Sequence, residues 1–247
     1  MRNLCTLFDS FYLSRALVMY DSLIATKFDF HLYIFAFDQL AYDILNKLKL
    51  ERVTVISLDE FEDEKLLSVK SSRSKAEYCW TSTPSTIHYA IKKLGLPDCT
   101  YIDADLYFYA SPQVLFNELN NASSALITEH RYTKLAKAYE GKRAGRFCVQ
   151  FLTIKDNEEG IKVLETWRDQ CIDWCYNRYE DGKFGDQKYL DNWPENYQNI
   201  HILKHPGGGV APWNIKKYEI KRLNNRLTGI EKKTKTPFKL VFYHFIL

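Results

Sequence analysis

Thr100-Tyr-Ile-Asp-Ala-Asp-Leu-Tyr-Phe-Tyr109 joins a short apolar run to two carboxylates that follow it directly. The run from Thr100 to Ile102 predicts a buried strand, and Asp103 and Asp105 then stand at the end of that strand. In an open α/β sheet, ligands bind beyond the carboxyl ends of the strands. Two carboxylates with one residue between them can share Mg²⁺ or Mn²⁺ there, because these hard cations take oxygen ligands and bridge to phosphates.

Two other uses of the carboxylate pair are compatible with the sequence. The side chains can cap a turn that leads into the Ser111 region, which requires no ligand. A phosphotransferase can use the first Asp of such a pair as a nucleophile, but that motif follows the first strand and continues into a hydroxyl residue. Here the pair lies far from the N-terminus and is followed by Leu106, which disfavours the phosphotransferase.

Strands and helices alternate along the residues that precede this stretch. Short apolar runs predict the strands, and helical spacing of apolar residues predicts the helices. The predicted strands are 3–8, 31–37 and 53–56. The predicted helices are 12–26, a second one that extends to Leu48 and a third that begins at Pro84, a residue that suits a first helical position. This alternation predicts an α/β fold with a mostly parallel central sheet and helices on both faces.

The second half of the chain has a less regular pattern, and we predict an irregular α+β C-terminal half. No linker divides the chain, so a single domain over residues 1–247 is expected. The predicted features are strands at 124–128 and 146–154, a capping box of Asp156 with Glu159 before the next helix, and strands after Ile215 with turns at 224–225 and Gly229.

The composition excludes some classes of protein. The chain has 247 residues, 46% hydrophobic and 26% charged, as expected of a globular protein with a sizeable core. A net charge of +3 is too small for a protein that wraps nucleic acid, so no nucleic-acid partner is predicted. Basic residues concentrate at 216–239. That segment suits either a solvated face or peripheral contact with anionic membrane headgroups or a phosphorylated acceptor.

The cysteines and apolar runs bear on the location of the protein. Six cysteines show no CxxC pair and no zinc-ribbon spacing, and Cys171 with Cys175 is typical of helix core. The first predicted strand starts almost at Met1, which leaves no room for a secretory signal, and no run reaches the length of a membrane span. We therefore predict a cytoplasmic protein with reduced thiols, peripheral at the inner face of the membrane if the basic segment contacts lipid.

Three further motifs accompany Tyr101-Ile-Asp-Ala-Asp105. They are Phe8-Asp-Ser-Phe-Tyr12, Gly185-Asp-Gln-Lys-Tyr-Leu190 and Phe242-Tyr-His-Phe245. In this order, and spanning essentially the whole chain, the four motifs resemble those of family-8-like glycosyltransferases of the GT-A class. The block 182–194, followed by 205–213, is similar to bacterial members from surface-polysaccharide loci.

The resemblance implies a GT-A-type fold and a role for each matching residue. Residues 1–110 would form the nucleotide-binding half, and 111–247 the half that holds the donor sugar and acceptor. The implied roles are nucleotide binding for Leu7, Asp9, Tyr12, Asp103 and Ala104, metal binding for Asp103, Asp105 and His244, and catalysis at the donor sugar for Asp186 and Gln187.

Several of these roles have alternatives. Asp9 can serve as a helix N-cap as well as an acceptor for a nucleobase N–H. Asp186 can cap the short helix that follows Gly185. His205 stands in His-x-x-Gly-x-x-Ala-Pro-Trp and rivals His244 as the third metal ligand. His244 is preferred because, like the family's metal histidine, it follows a strand late in the fold.

Two positions depart from the family pattern. Ala211 stands where a family Lys meets the diphosphate, and if His244 is the metal ligand the chain ends before that Lys. Residues 147–150, Phe-Cys-Val-Gln, stand where the family commonly has Phe-Asn-x-Gly. Arg73 and Lys75 are candidates for the missing positive charge.

The resemblance implies a metal-dependent hexosyltransferase that uses Mn²⁺ or Mg²⁺. Its donor would be a nucleotide sugar, with UDP as the expected nucleotide, and its acceptor would be a saccharide or a lipid-linked molecule. The transfer would retain the anomeric configuration and would serve the synthesis of a surface polysaccharide or lipopolysaccharide. One rival is a nucleotide-sugar-binding module of the same fold without catalysis. Another is a nucleotidyltransferase, which should carry a Gly-rich basic loop after the first strand; the segment 7–12 has neither Gly nor Lys.

Overall fold

The computed structural model describes residues 1–223 and 226–246. The strands are β1 (Arg2–Phe8), β2 (Phe30–Ala36), β3 (Val53–Ser57), β4 (Asp98–Ile102), β5 (Leu106–Phe108), β6 (Ala125–Glu129), β7 (Phe147–Lys155), β8 (Ile200–Ile202), β9 (Tyr218–Leu223), β10 (Arg226–Glu231), β11 (Pro237–Lys239) and β12 (Phe242–His244). The helices are α1 (Leu13–Ala25), α2 (Gln39–Leu48), α3 (Leu58–Phe61), α4 (Glu64–Lys70), α5 (Lys75–Lys92), α6 (Gln113–Phe116), α7 (Lys134–Tyr139), α8 (Gly141–Ala144), α9 (Glu158–Asp173) and α10 (Trp193–Asn196). Two short 3₁₀ helices span Gln187–Asn192 and Ile215–Lys217.

The central sheet has seven strands in the order β3-β2-β1-β4-β7-β6-β8. β1 to β4 are parallel, β7 runs antiparallel to both β4 and β6, and β8 is parallel to β6. The predicted α/β fold with a mostly parallel sheet is therefore confirmed. Because β1 and β4 are adjacent and parallel, the residues that follow Phe8 and Ile102 leave the sheet at the same edge.

Helices cover both faces of this sheet, as predicted. On one face, α5 and α9 pack through Ile87, Leu164 and Trp167. On the other, α1 and α2 pack through Met19 and Leu45. Within residues 1–223 and 226–246, no helix has both the length and the apolar character that crossing a bilayer would require.

Helix α5 begins earlier than predicted. Pro84 lies inside it rather than at its first position, and the helix starts after Ser74, which forms a capping box with Glu77. A proline in a helix interior loses one backbone hydrogen bond. Here the helix persists because a long run of its residues, from Thr81 to Ile87, is buried against the sheet and α9, so tertiary packing outweighs the local cost.

Two other local predictions are wrong. The N-cap of α9 is Asn157 rather than Asp156, because the Asn157 side chain accepts from the Gly160 amide at 2.8 Å. Gly229 lies within β10 rather than in a turn, and a Cβ there would sit 2.1 Å from the Phe238 ring. The glycine leaves room for that ring to pack across the strand. The turn predicted at 224–225 falls outside the described residues.

Arg131 ties down the loop that precedes the last strands. Its guanidinium donates to the carbonyls of Leu203 at 2.7 Å, His205 at 3.2 Å, Pro206 at 3.2 Å and Gly208 at 2.9 Å. Four backbone acceptors are thus satisfied by one planar, permanently charged group.

This loop supports the β-ribbon that β12 forms with β5. The Gly207 carbonyl accepts from the amides of Val241 at 3.0 Å and Phe242 at 3.1 Å. β12 then pairs antiparallel with β5, and His244 lies opposite Leu106. The C-terminal residues therefore return to the segment that follows β4.

Replacing Arg131 with Lys should destabilise the protein by about 2–4 kcal/mol, because an ammonium cannot reach all four carbonyls and charge-assisted hydrogen bonds contribute about 1.5–3 kcal/mol each. Chemical denaturation would measure the change in the free energy of unfolding. Arg178→Lys is the control, since Arg178 is exposed and pairs with Glu180 on the surface. Equal stability of the two variants would contradict the role given to Arg131.

Candidate functional site

Asp103 and Asp105 lie in the tight connection between β4 and β5. The Asp103 amide donates to the Gln150 carbonyl at 3.1 Å, which extends the pairing of β4 with β7 by one residue. The Asp105 carbonyl accepts from the Phe245 amide at 3.0 Å. Both carboxylates are thus held by backbone bonds to strands on either side, and their spacing is fixed by the fold.

His244 lies between the two carboxylates. Its Nε2 is 3.0 Å from Asp105 Oδ1 and 3.5 Å from Asp103 Oδ2. The imidazole is buried, and the Trp213 ring packs edge-on against it at 5.4 Å between centroids. The His244 amide also donates to the Val210 carbonyl at 2.9 Å, which anchors the end of β12.

The other nitrogen of this imidazole faces Gln150. Nδ1 of His244 and Oε1 of Gln150 are 2.9 Å apart. Because an amide oxygen can only accept, this bond requires a proton on Nδ1, and Nε2 is then the nitrogen that faces the carboxylates and would be free to bind a metal after losing any proton. The arrangement is the one by which proteins orient a histidine towards a metal.

Cys148 completes the group around His244, and the sequence analysis gave it no role. One donor atom from each of Asp103, Cys148 and His244 lies within 4.8 Å of the others. A bulge in β7 puts the cysteine there, since Leu126 of β6 pairs with Thr153 while Thr128 pairs with Cys148.

The pKa values in this group reflect two half-buried carboxylates that lie beside one imidazole. Burial, opposed by the His244 charge and aided by the Asp105 charge, raises the pKa of Asp103 to about 6. Burial disfavours the His244 imidazolium, yet its hydrogen bond to Asp105 and the charges of both carboxylates hold its pKa well above the usual range. The imidazolium therefore supplies positive charge where the two carboxylates meet.

The segment after β1 lies next to this group. The Asp9 carboxylate accepts from the amides of Phe11 at 3.1 Å and Tyr12 at 3.3 Å, so it caps the turn that leads into α1. Burial and the nearby Asp105 carboxylate raise the pKa of the half-buried Tyr12 phenol, and the Arg15 guanidinium lies over its ring at 4.8 Å. Leu7 and Ala104, the other two residues implied in nucleotide binding, are buried.

Asp186 is buried close to Asp103. Burial raises the pKa of its carboxyl to about 7, and the Asp103 charge contributes to that rise. The residue precedes a 3₁₀ helix, but its side chain accepts no capping hydrogen bond from the described backbone. Instead the Trp167 indole N–H donates to its backbone carbonyl at 2.8 Å. The side-chain Nε2 of the neighbouring Gln187 donates to the Ala144 carbonyl at 2.9 Å.

His205 is placed elsewhere. Its amide donates to Glu118 Oε1 at 2.7 Å and its Nδ1 accepts from the Gly207 amide at 3.1 Å, which is a local role within the loop. Ala211 is fully buried, and its amide is held by Asn214 Oδ1 at 3.0 Å.

Of the two cations considered for the diphosphate, Arg73 is already engaged. Its guanidinium stacks on the Tyr176 ring at 3.9 Å and donates to the Ile172 carbonyl at 3.0 Å. Lys75 is exposed at the start of α5, and its charge contributes to lowering the pKa of Asp38. Asp38 in turn accepts from the Ser10 amide at 2.9 Å, so Lys75 lies towards the loop that follows β1.

The donor set fits a divalent cation. Carboxylate oxygens of Asp103 and Asp105 with the Nε2 nitrogen of His244 are ligands that Mn²⁺ accepts, and Mg²⁺ would use chiefly the oxygens. The half-buried carboxylates repel each other, and the histidine is oriented by Gln150, so the site favours added positive charge.

Comparison with known proteins places the chain among relatives. No protein-family model matches it. Two Bacillus subtilis (strain 168) proteins described as uncharacterized are similar in sequence. YfnD is 36% identical over 222 residues, which cover 88% of this chain and 68% of YfnD. YfnF is 30% identical over 246 residues, which cover 98% of this chain and 80% of YfnF.

Solved structures of similar fold are glycosyltransferases. Mouse xyloside xylosyltransferase 1 superposes with a TM-score of 0.59 at 14% identity, over 99% of this chain and 97% of that chain. The galactosyltransferase LgtC, solved with donor and acceptor sugar analogues, also gives 0.59, at 12% identity, over 99% of this chain and 87% of its own. Identities this low establish the fold alone. The chain therefore belongs to the protein family of YfnD and YfnF, and its fold is that of the GT-A glycosyltransferases.

Proposed function

We propose that the protein is a metal-dependent glycosyltransferase that moves a hexose from a nucleotide sugar, with UDP as the nucleotide, to a saccharide or lipid-linked acceptor. One observation carries this proposal: His244 Nε2 lies within 3.5 Å of carboxylate oxygens of both Asp103 and Asp105, beside the buried Asp186. The shared fold with the xylosyltransferase and LgtC supports it.

The proposed division of labour follows the two ends of the donor. Residues 1–110 would bind the nucleotide, with the Tyr12 ring as a stacking face for the base and Asp9 as an acceptor for a base N–H. Asp103, Asp105 and His244 would hold Mn²⁺ or Mg²⁺. When bound, that cation would neutralise the charge that develops on the leaving nucleoside diphosphate.

Residues 111–247 would hold the donor sugar and the acceptor. Asp186 and Gln187 would face the sugar ring, where positive charge develops as the glycosidic bond breaks. The Trp167 indole bonds the Asp186 carbonyl, and the Ala144 carbonyl bonds the Gln187 side chain. These two hydrogen bonds would keep both residues in place as charge develops on the sugar. Transfer with retention, in the synthesis of a surface polysaccharide or lipopolysaccharide, is the form of the reaction that we propose.

A nucleotide-sugar-binding module without catalysis is the second candidate. It is favoured by Ala211, because a buried alanine at that position offers no positive charge to a diphosphate. Such a module would bind a nucleotide sugar and turn none over on any acceptor. Binding and turnover therefore have to be measured separately.

UDP should bind in calorimetric titration only when Mn²⁺ is present, and Asp103→Asn should weaken this binding by about tenfold or more, since it removes a charged ligand. Asp21→Asn is the matched control, because it makes the same change at an exposed position on α1. Binding of GDP or another nucleotide in place of UDP would keep the class and change the donor. Metal-independent binding that survives Asp103→Asn would contradict the proposed site.

Asp186→Asn should leave Mn²⁺-dependent UDP binding within about twofold and lower turnover by about 10²-fold, because the carboxylate acts on the charge that develops in the transition state. Transfer is measured by UDP release from a panel of nucleotide sugars, and NMR of the product gives the anomeric configuration. Asp181→Asn, an exposed change in the preceding loop, is the control. Wild-type turnover in Asp186→Asn would remove that residue from the reaction, and binding without any turnover in the wild type would favour the module.

We further propose peripheral contact with anionic lipid through the small sheet β11-β10-β9. Lys232, Lys233 and Lys235 are exposed on the connection between β10 and β11. Each lysine near an anionic surface contributes about 1 kcal/mol, so three together suffice for measurable, salt-sensitive binding.

Changing Lys232, Lys233 and Lys235 to Glu should therefore reduce co-flotation with phosphatidylserine vesicles by about 100-fold in apparent affinity. The matched control changes Lys27, Lys47 and Lys49, exposed at the ends of α1 and α2, to Glu. Neutral phosphatidylcholine vesicles test the dependence on charge. If both triple variants lose binding equally, net charge and not this surface is responsible.

A further inference from the structure

The thiol of Cys148 belongs to the same cluster of side chains as Asp103 and His244. The residue is buried on β7, and its sulfur, a carboxylate oxygen of Asp103 and a ring nitrogen of His244 all lie within 4.8 Å of one another. The bulge that brings it there leaves β6 and β7 paired again at Thr128 and Cys148. Its side chain therefore starts from a fixed backbone position.

We propose that Cys148 is a ligand of the divalent cation held by Asp103 and His244, and that the site consequently prefers a transition-metal ion to Mg²⁺. The inference rests on the proposed metal site and specifies which cation that site selects. A thiolate is a soft ligand that favours Zn²⁺, Co²⁺ and similar ions, whereas Mg²⁺ takes oxygen ligands and keeps several waters.

The geometry is within reach of such a complex. With metal–sulfur and metal–nitrogen distances near 2.3 and 2.0 Å, tetrahedral ligation requires the sulfur and nitrogen to be about 3.6 Å apart. The upper bound of 4.8 Å between the donor atoms exceeds that value by about an ångström. Ligation therefore requires the donor atoms to approach by about an ångström at most, and Asp105 Oδ1 already lies 3.0 Å from His244 Nε2.

Proton balance is simple in this proposal. On cation binding the thiol of Cys148 loses its proton to solvent as the metal–sulfur bond forms, and His244 loses the proton on Nε2. The proton on Nδ1 stays, because Gln150 Oε1 accepts it at 2.9 Å. No electrons are transferred, and the thiol is not oxidised.

The competing explanation is that the thiol only donates a hydrogen bond inside the core. In that case Cys148 would contact the imidazole but never the cation. The two explanations differ in whether a sulfur–metal bond exists, which is visible by spectroscopy without any catalytic activity.

The test is titration of the full chain with Co²⁺ in the presence of a non-thiol reductant, with and without UDP. A bound thiolate gives an intense ligand-to-metal charge-transfer band in the near ultraviolet, and calorimetry reports binding in parallel. We expect the band to saturate at one equivalent, to disappear on addition of Zn²⁺ and to resist a large excess of Mg²⁺. Cys148→Ser should abolish the band and weaken Co²⁺ binding by about tenfold or more.

Cys79→Ser is the matched control, because Cys79 lies on α5 outside this group, and it should keep the band. Cys148→Ala serves as a second variant if the serine change lowers the denaturation midpoint. Co²⁺ binding without the band in the wild type, or a band that survives in both Cys148 variants, would overturn the proposal and leave the carboxylate–histidine site intact. An absence of any Co²⁺ binding, with or without UDP, would overturn the metal site itself.

Discussion

Two half-buried carboxylates that need a positive partner are the constraint around which this site is arranged. Asp103 and Asp105 stand at the end of β4 with side chains 26% and 12% exposed, so water screens their mutual repulsion only in part. The buried His244 ring faces that charge, and the two carboxylates raise the pKa of its imidazole against the effect of burial. The proposed divalent cation would compensate it better, because all three side chains could share that cation.

The rest of the fold holds these groups in register. Gln150 bonds the Asp103 amide through its carbonyl and the His244 ring through its side chain, so one residue of β7 links both partners. Arg131 fixes the 203–208 loop, and that loop bonds the start of β12. Preorganisation of this kind costs nothing at the moment of ligand binding, since the backbone has already been ordered by folding.

The sequence predicted the layered fold and the strand-end position of Asp103 and Asp105, because alternating apolar runs and a strand followed by carboxylates are local patterns. The roles of Asp186, Gln187 and His244 came from a resemblance and stay predictions. Cys148 was seen only as a departure, since its place depends on a bulge between β6 and β7 that no local pattern encodes. The prediction that a helix begins at Pro84 was wrong for a similar reason, because tertiary burial keeps α5 helical on both sides of that proline.

The ribbon of β5 with β12 has a consequence for how the protein is made. Asp105 lies near the middle of the chain and His244 close to the last described residue, so their contact joins residues that are far apart in sequence. Such contacts form late, because loop-closure entropy must be overcome before they contribute stability. During synthesis the strands β1 to β4 can assemble while the carboxylate pair is still without its histidine. A nascent chain would thus carry an incomplete site until β12 has emerged, which makes the proposed cation binding depend on a strand made long after β4.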